Sequence, residues 1–130
     1  MLNTTICKKI LYIDDYENNI NLVQDIISNH RNNYQVCSAL NATDGIRLAV
    51  AQIPNLILMD INMPVLDGLM AFKMLKKIKE TKSIPVIAFS ANSGETDIEE
   101  AINMGFHSYI TKPIDLPKFL ECIDHAMKND

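Results

Sequence analysis

Leu56-Ile57-Leu58-Met59-Asp60 is an unbroken apolar run that stops at a carboxylate. Ile10-Leu11-Tyr12-Ile13 does the same and stops at Asp14-Asp15, and Pro85-Val86-Ile87-Ala88-Phe89 stops at Ser90-Ala91-Asn92. Runs of this length that do not alternate with polar residues read as strands covered on both faces, as in a parallel sheet. Tyr34-Gln35-Val36-Cys37-Ser38-Ala39-Leu40 and Ser108-Tyr109-Ile110-Thr111 are more polar and suit the second and fifth strands.

Between the runs, apolar residues recur at helical spacing. The stripes are Tyr16, Ile20, Val23 and Ile27; Ile46, Ala49, Val50 and Ile53; Ala71, Leu75 and Ile78 with Phe72 beside them; Ile98, Ala101 and Ile102; and Leu116, Phe119, Leu120, Ile123 and Met127. Asn41 to Asp44 can cap the second helix and Asp115 the fifth, with Pro117 in its first turn. Gly105 is placed to end the fourth in a left-handed residue. Strand and helix thus alternate five times. That pattern predicts an α/β fold, a doubly wound five-stranded parallel sheet with helices on both faces.

The chain has 130 residues, 48% of them hydrophobic and 22% charged, which predicts one globular domain over 1–130 with nothing left for an output domain. A formal net charge of −4 excludes the broad basic field that nucleic-acid binding needs. No apolar run is long enough to span a bilayer, and the start lacks a secretory signal. Cys7, Cys37 and Cys122 are odd in number and far apart, which predicts reduced thiols and a cytoplasmic location. His30, His107 and His125 are scattered and suggest surface residues rather than a zinc site.

In open sheets of this kind, ligands bind beyond the carboxyl ends of the strands. Those ends carry Asp14-Asp15, Asp60 with Ile61-Asn62-Met63-Pro64, Ser90-Ala91-Asn92 and Lys112-Pro113. Three carboxylates crowd together unfavourably unless something positive joins them. A hard divalent cation such as Mg2+ (or Mn2+) takes one or two carboxylates plus phosphate oxygens. The set therefore predicts a metal site with room for a phosphoryl group. One carboxylate serves as nucleophile, Lys112 neutralises charge on the transferring group, and Ser90 donates a hydrogen bond to it.

In these residues the chain resembles the receiver domains of two-component response regulators. The likeness runs through Ile10 to Asp15, Leu58 to Pro64 with Asp67-Gly68, Phe89-Ser90-Ala91, and Tyr109 to Pro113. It implies a flavodoxin-like (βα)5 fold with strand order 2-1-3-4-5. It implies that Asp60 accepts a phosphoryl group from phosphohistidine on a histidine kinase or phosphotransfer domain. Asp15 would ligate the metal directly, Asp14 through water, and Asn62 through its carbonyl. Ser90 and Lys112 would hold the phosphoryl group, and Ser90 and Tyr109 would form the switch. Lys112-Pro113 is expected to be cis. Asn62 and Asn92 occupy positions that tune dephosphorylation in the family. The surface of the fourth helix, fifth strand and fifth helix would meet a reader protein. Such a domain catalyses only its own phosphorylation and dephosphorylation and is not a turnover enzyme. Asn55, where the family often has Asp, reads as a surface change. His107-Ser108 replaces an acidic pair found in one DNA-binding subclass, and Asp60 to Gly68 is closer to receivers of hybrid kinases and phosphorelays.

Three other readings compete. A metal-dependent phosphohydrolase would usually place a second Asp where Asn62 stands. A flavin carrier of the same fold would need a hydroxyl-rich loop where Asp14-Asp15-Tyr16-Glu17 stands. A receiver-like interaction module without phosphorylation would have no need of the full reactive set. More modest roles are open to single residues: Asp14-Asp15 as a helix cap, and Met63, Met70 and Met74 as packing filler.

Overall fold

The computed structural model describes residues 7–63, 68–91 and 94–128, so Pro64, Asp67 and Asn92 lie outside the described residues. Five strands alternate with five helices: β1 (Lys8–Ile13), α1 (Glu17–His30), β2 (Tyr34–Ala39), α2 (Ala42–Gln52), β3 (Leu56–Asp60), α3 (Gly68–Lys77), β4 (Val86–Ser90), α4 (Glu95–Met104), β5 (Ser108–Thr111) and α5 (Leu116–Lys128). All neighbouring pairs are parallel and the order is β2-β1-β3-β4-β5, as the resemblance implied.

The strands divide the interior into two apolar layers. Leu11, Ile13, Ile57, Met59, Val86 and Ala88 face α2, α3 and α4. Ile10, Tyr12, Leu58, Ile87 and Phe89 face α1 and α5. Alternate residues of one run serve opposite layers, which is why the runs are apolar throughout.

Several helix faces differ from the sequence expectation. Tyr16 is not on the buried stripe; it is the residue before α1 and is 56% exposed. In α2 the buried residues are Ala42, Gly45 and Ala49, while Val50 and Ile53 face solvent. A Cβ on Gly45 would run into the side chain of Ile13. Small residues at the centre of the contact face let α2 lie close to β1, and Ile46 and Leu48 pack against the core beside them. Of the expected stripe, Ile46 and Ala49 face inward. Ile102 and Leu116 are likewise exposed at the ends of their helices.

The caps follow the sequence. Asn41 accepts from the Asp44 N–H at 2.8 Å, and Asp115 accepts from the Lys118 N–H at 3.3 Å. Gly105 has φ of 117°. Asn55 does more than occupy surface: its side chain accepts from the Lys9 N–H at 2.8 Å and its own N–H donates to the Lys9 carbonyl at 2.9 Å. That pair of bonds pins β3 beside β1.

Candidate functional site

β1 has its neighbours β2 and β3 on opposite sides, so connections leave it in two directions and a crevice opens at its carboxyl end. Asp14 follows β1 directly and is fully buried. A buried carboxylate needs donors, and Asp14 has them. Its Oδ1 accepts from the Tyr16 N–H at 2.9 Å. Its Oδ2 accepts from the Tyr12 hydroxyl at 2.6 Å, the Asn19 amide at 3.2 Å and Lys112 Nζ at 3.4 Å. The capping alternative is partly realised, since Asp14 does hold the chain entering α1.

Asp60 ends β3 and is also buried. Its Oδ1 accepts from the Asn62 N–H at 3.0 Å, and Lys112 Nζ lies 3.6 Å from Oδ2. Asp15 is exposed, yet one oxygen from each of Asp14, Asp15 and Asp60 lies within 4.8 Å of the others. Burial raises the Asp60 carboxyl above the usual carboxylate range; the Asn62 N–H opposes this, Asp14 and Asp15 add to it, and Lys112 works against it. Three carboxylates against the Lys112 ammonium leave the cluster net negative. Such an oxygen-rich, negative donor set fits a hard, electron-poor partner, and a divalent cation meets that description.

In the sequence Tyr12 is simply part of an apolar strand. It shares a layer with Phe89, with ring centroids 5.3 Å apart, and its hydroxyl reaches along the strand to the carboxylate two residues on. Burial first, then the bond to Asp14, push its phenol far above the usual value, so it remains a donor. The signal available in the sequence was the i, i+2 spacing of a strand, which puts residues 12 and 14 on one face.

Lys112 follows β5; its N–H donates to the Ser90 carbonyl at 2.8 Å, and the Lys112-Pro113 bond is cis. Ser90 is buried at the end of β4 and its hydroxyl donates to Asn62 Oδ1 at 2.9 Å. Tyr109 pairs with Ala88 across β4 and β5. It lines a cavity of about 130 Å³ with Ile61, Asn62, Leu69, Ala101 and Met104. Asp14, Asp15, Asp60 and Lys112 therefore meet at one edge, with Asn62 touching both Asp60 and Ser90.

Gly68 is required by this arrangement. A Cβ there would collide with the Asp60 carbonyl, so only glycine lets α3 start against the end of β3.

The histidines are less scattered than the sequence indicates. His107 and His125 come together across β5 and α5, with ring nitrogens 3.2 Å apart, and His107 Nδ1 lies 2.6 Å from Ser108 Oγ. Cys7, Cys37 and Cys122 are free thiols. Among the described residues, no helix is long and apolar enough to cross a membrane.

Comparison with known proteins agrees with this geometry. The family described as "Response regulator receiver domain" matches residues 10–124. The polar-differentiation response regulator DivK of Brucella anthropi is 37% identical over 116 residues, covering 89% of this chain and 93% of that protein. A response regulator from Desulfuromonas acetoxidans superposes with a TM-score of 0.84 at 28% identity, covering 93% of this chain and 97% of that one. The receiver domain of the Pseudomonas aeruginosa sensor histidine kinase PA1611, solved with magnesium coordinated in its active-site cleft, has the same fold: TM-score 0.83, 24% identity, 94% and 98% coverage.

Proposed function

The chain belongs to the response regulator receiver domain family, the phosphorylatable switches of two-component signalling, and we propose that Asp60 is its phosphoacceptor. The observation that carries this is the meeting of Asp60 with Asp14, Asp15 and Lys112 at one strand edge. An Asp60 oxygen attacks phosphorus on a phosphohistidine of a histidine kinase or phosphotransfer domain. The P–N bond breaks, the imidazole leaves with the electron pair and takes a proton, and an acyl phosphate forms. Lys112, already within reach of Asp60, shifts to the phosphoryl oxygens. Hydrolysis of the acyl phosphate resets the domain, so the protein acts once per cycle on itself.

Asp14, Asp15 and Asp60, with the Asn62 carbonyl, would hold Mg2+ or Mn2+, which supplies positive charge to the carboxylates and the phosphoryl oxygens. The carboxylate cluster, with Asp14 and Asp60 buried and Asp15 exposed, supports this, as does the magnesium in the PA1611 receiver. The new phosphate charge would draw the Ser90 hydroxyl toward it and let Tyr109 turn toward the space beside Asn62. The surface of α4, β5 and α5 would then present itself differently to a reader protein. We read residues 1–130 as one receiver domain working in the cytoplasm, a reading supported by the span of the family match and the free thiols.

The test is labelling by a phosphorylated kinase or by acetyl phosphate with Mg2+. Wild type takes one acid-stable, base-labile phosphoryl group and Asp60→Asn takes none. Undiminished labelling of Asp60→Asn refutes the acceptor assignment, and steady turnover of small phosphate esters favours the phosphohydrolase reading.

A further inference from the structure

The hydroxyl that must reach the phosphoryl group is already committed elsewhere. Ser90 is buried, and its single proton is donated to Asn62 Oδ1 at 2.9 Å. A serine hydroxyl has one proton to give, so it cannot serve Asn62 and a phosphoryl oxygen together. Asn62 is also fastened to the acceptor, because its backbone N–H donates to Asp60 Oδ1 at 3.0 Å. One residue therefore grips the acceptor through its main chain and the switch hydroxyl through its side chain.

We propose that the Asn62 side chain is a positioning residue that holds Ser90 in the unphosphorylated arrangement and slows the charging of Asp60. This rests on the reading of Asp60 as phosphoacceptor and adds a restraint on it. The exchange is physically balanced toward release only after phosphate arrives. An amide oxygen is a neutral acceptor, whereas an acyl phosphate is ionised, and bonds to ionised acceptors are roughly twice as strong. Asn62 lies at the exposed mouth of the site, so water can take over Oδ1 when Ser90 leaves. Asn62 also borders the cavity of about 130 Å³ that Tyr109 lines, so release of the amide changes the wall of the space beside that ring. The restraint is one neutral hydrogen bond, a net effect of roughly two- to tenfold on an equilibrium or rate.

The experiment is a double-mutant cycle on the full chain: wild type, Asn62→Ala, Ser90→Ala and the double variant. Initial rates of labelling by acetyl phosphate are measured with Mg2+, and urea unfolding of the same four proteins is measured without donor. Asn62→Ala is expected to charge roughly two- to tenfold faster than wild type, and to change nothing in the Ser90→Ala background. Unfolding should show a coupling of similar size between the two sites. Faster charging in both backgrounds means that Asn62 only obstructs access, which overturns the proposal. So does charging of Asn62→Ala no faster than wild type, or the absence of coupling in unfolding. Wild type that takes no label while the unfolding coupling is present sinks the phosphoacceptor reading, and the charging role of Asn62 with it.

Discussion

The Tyr12 hydroxyl and the Asp14 carboxylate, two residues apart along one strand edge, share a 2.6 Å hydrogen bond inside the protein. Both residues are buried, so the phenol supplies a donor to a carboxylate that has left bulk solvent.

Tyr12→Phe keeps the ring and its packing on Phe89 and removes only that donor. The expected cost is about 1–3 kcal/mol of unfolding free energy in metal-free protein. Urea unfolding checks it, and an unchanged midpoint would show that the other donors to Asp14 suffice.

Asp60→Asn removes one of three clustered carboxylates. Without divalent metal the variant is expected to be more stable than wild type, by on the order of 1 kcal/mol, because like-charge repulsion falls. Added Mg2+ should stabilise wild type and do much less for the variant. Thermal melts with and without Mg2+ decide it; equal Mg2+ responses would place the metal elsewhere.

Gly68→Ala drives a Cβ into the Asp60 carbonyl. Backbone cannot give way as a side-chain tip can, so a loss of roughly 1–3 kcal/mol or more is expected, with slower labelling of Asp60. Equilibrium unfolding and acetyl phosphate labelling together test this. A variant with wild-type values in both would show that α3 can shift without disturbing the acceptor.

Ile53 closes α2 with φ of 47°, a left-handed conformation that a β-branched residue adopts at a cost, and its side chain is 54% exposed. Ile53→Gly relieves the strain while giving up little packing. A gain of roughly 1 kcal/mol in unfolding free energy is expected, and a lower melting temperature would contradict it.

His107 titrates below the ordinary histidine range, first because burial disfavours its charged form and then because His125 faces it. The unfolded chain therefore binds a proton that the folded chain resists. Stability from this group is complete above about pH 6.5 and is lost as pH falls through the lower folded value. Unfolding midpoints at about pH 7.5 and pH 5.5 should diverge less in His107→Gln than in wild type. Equal pH dependence in the two proteins would assign the acid sensitivity to other groups.

The sequence alone determined the alternation of strand and helix, a cap within Asn41 to Asp44 and another at Asp115, the left-handed Gly105, and which residues follow each strand. These are local properties: an apolar run, a cap or a glycine exerts its effect within a few residues, so it can be seen in a short window. Strand order came from resemblance, because crossover helices of similar length would serve several orders equally well. Only the folded chain decided who touches whom. The approach of α2 through Gly45 and of α3 through Gly68 depends on the shape of the surface opposite. So do the Tyr12–Asp14 bond, the hold of Asn62 on Ser90, and the meeting of His107 with His125. Ser90 and Asn62 are 28 positions apart, and His107 and His125 are 18 apart. A hydrogen bond is specified within tenths of an ångström, and no periodicity in the chain encodes a distance between residues that only the sheet brings together.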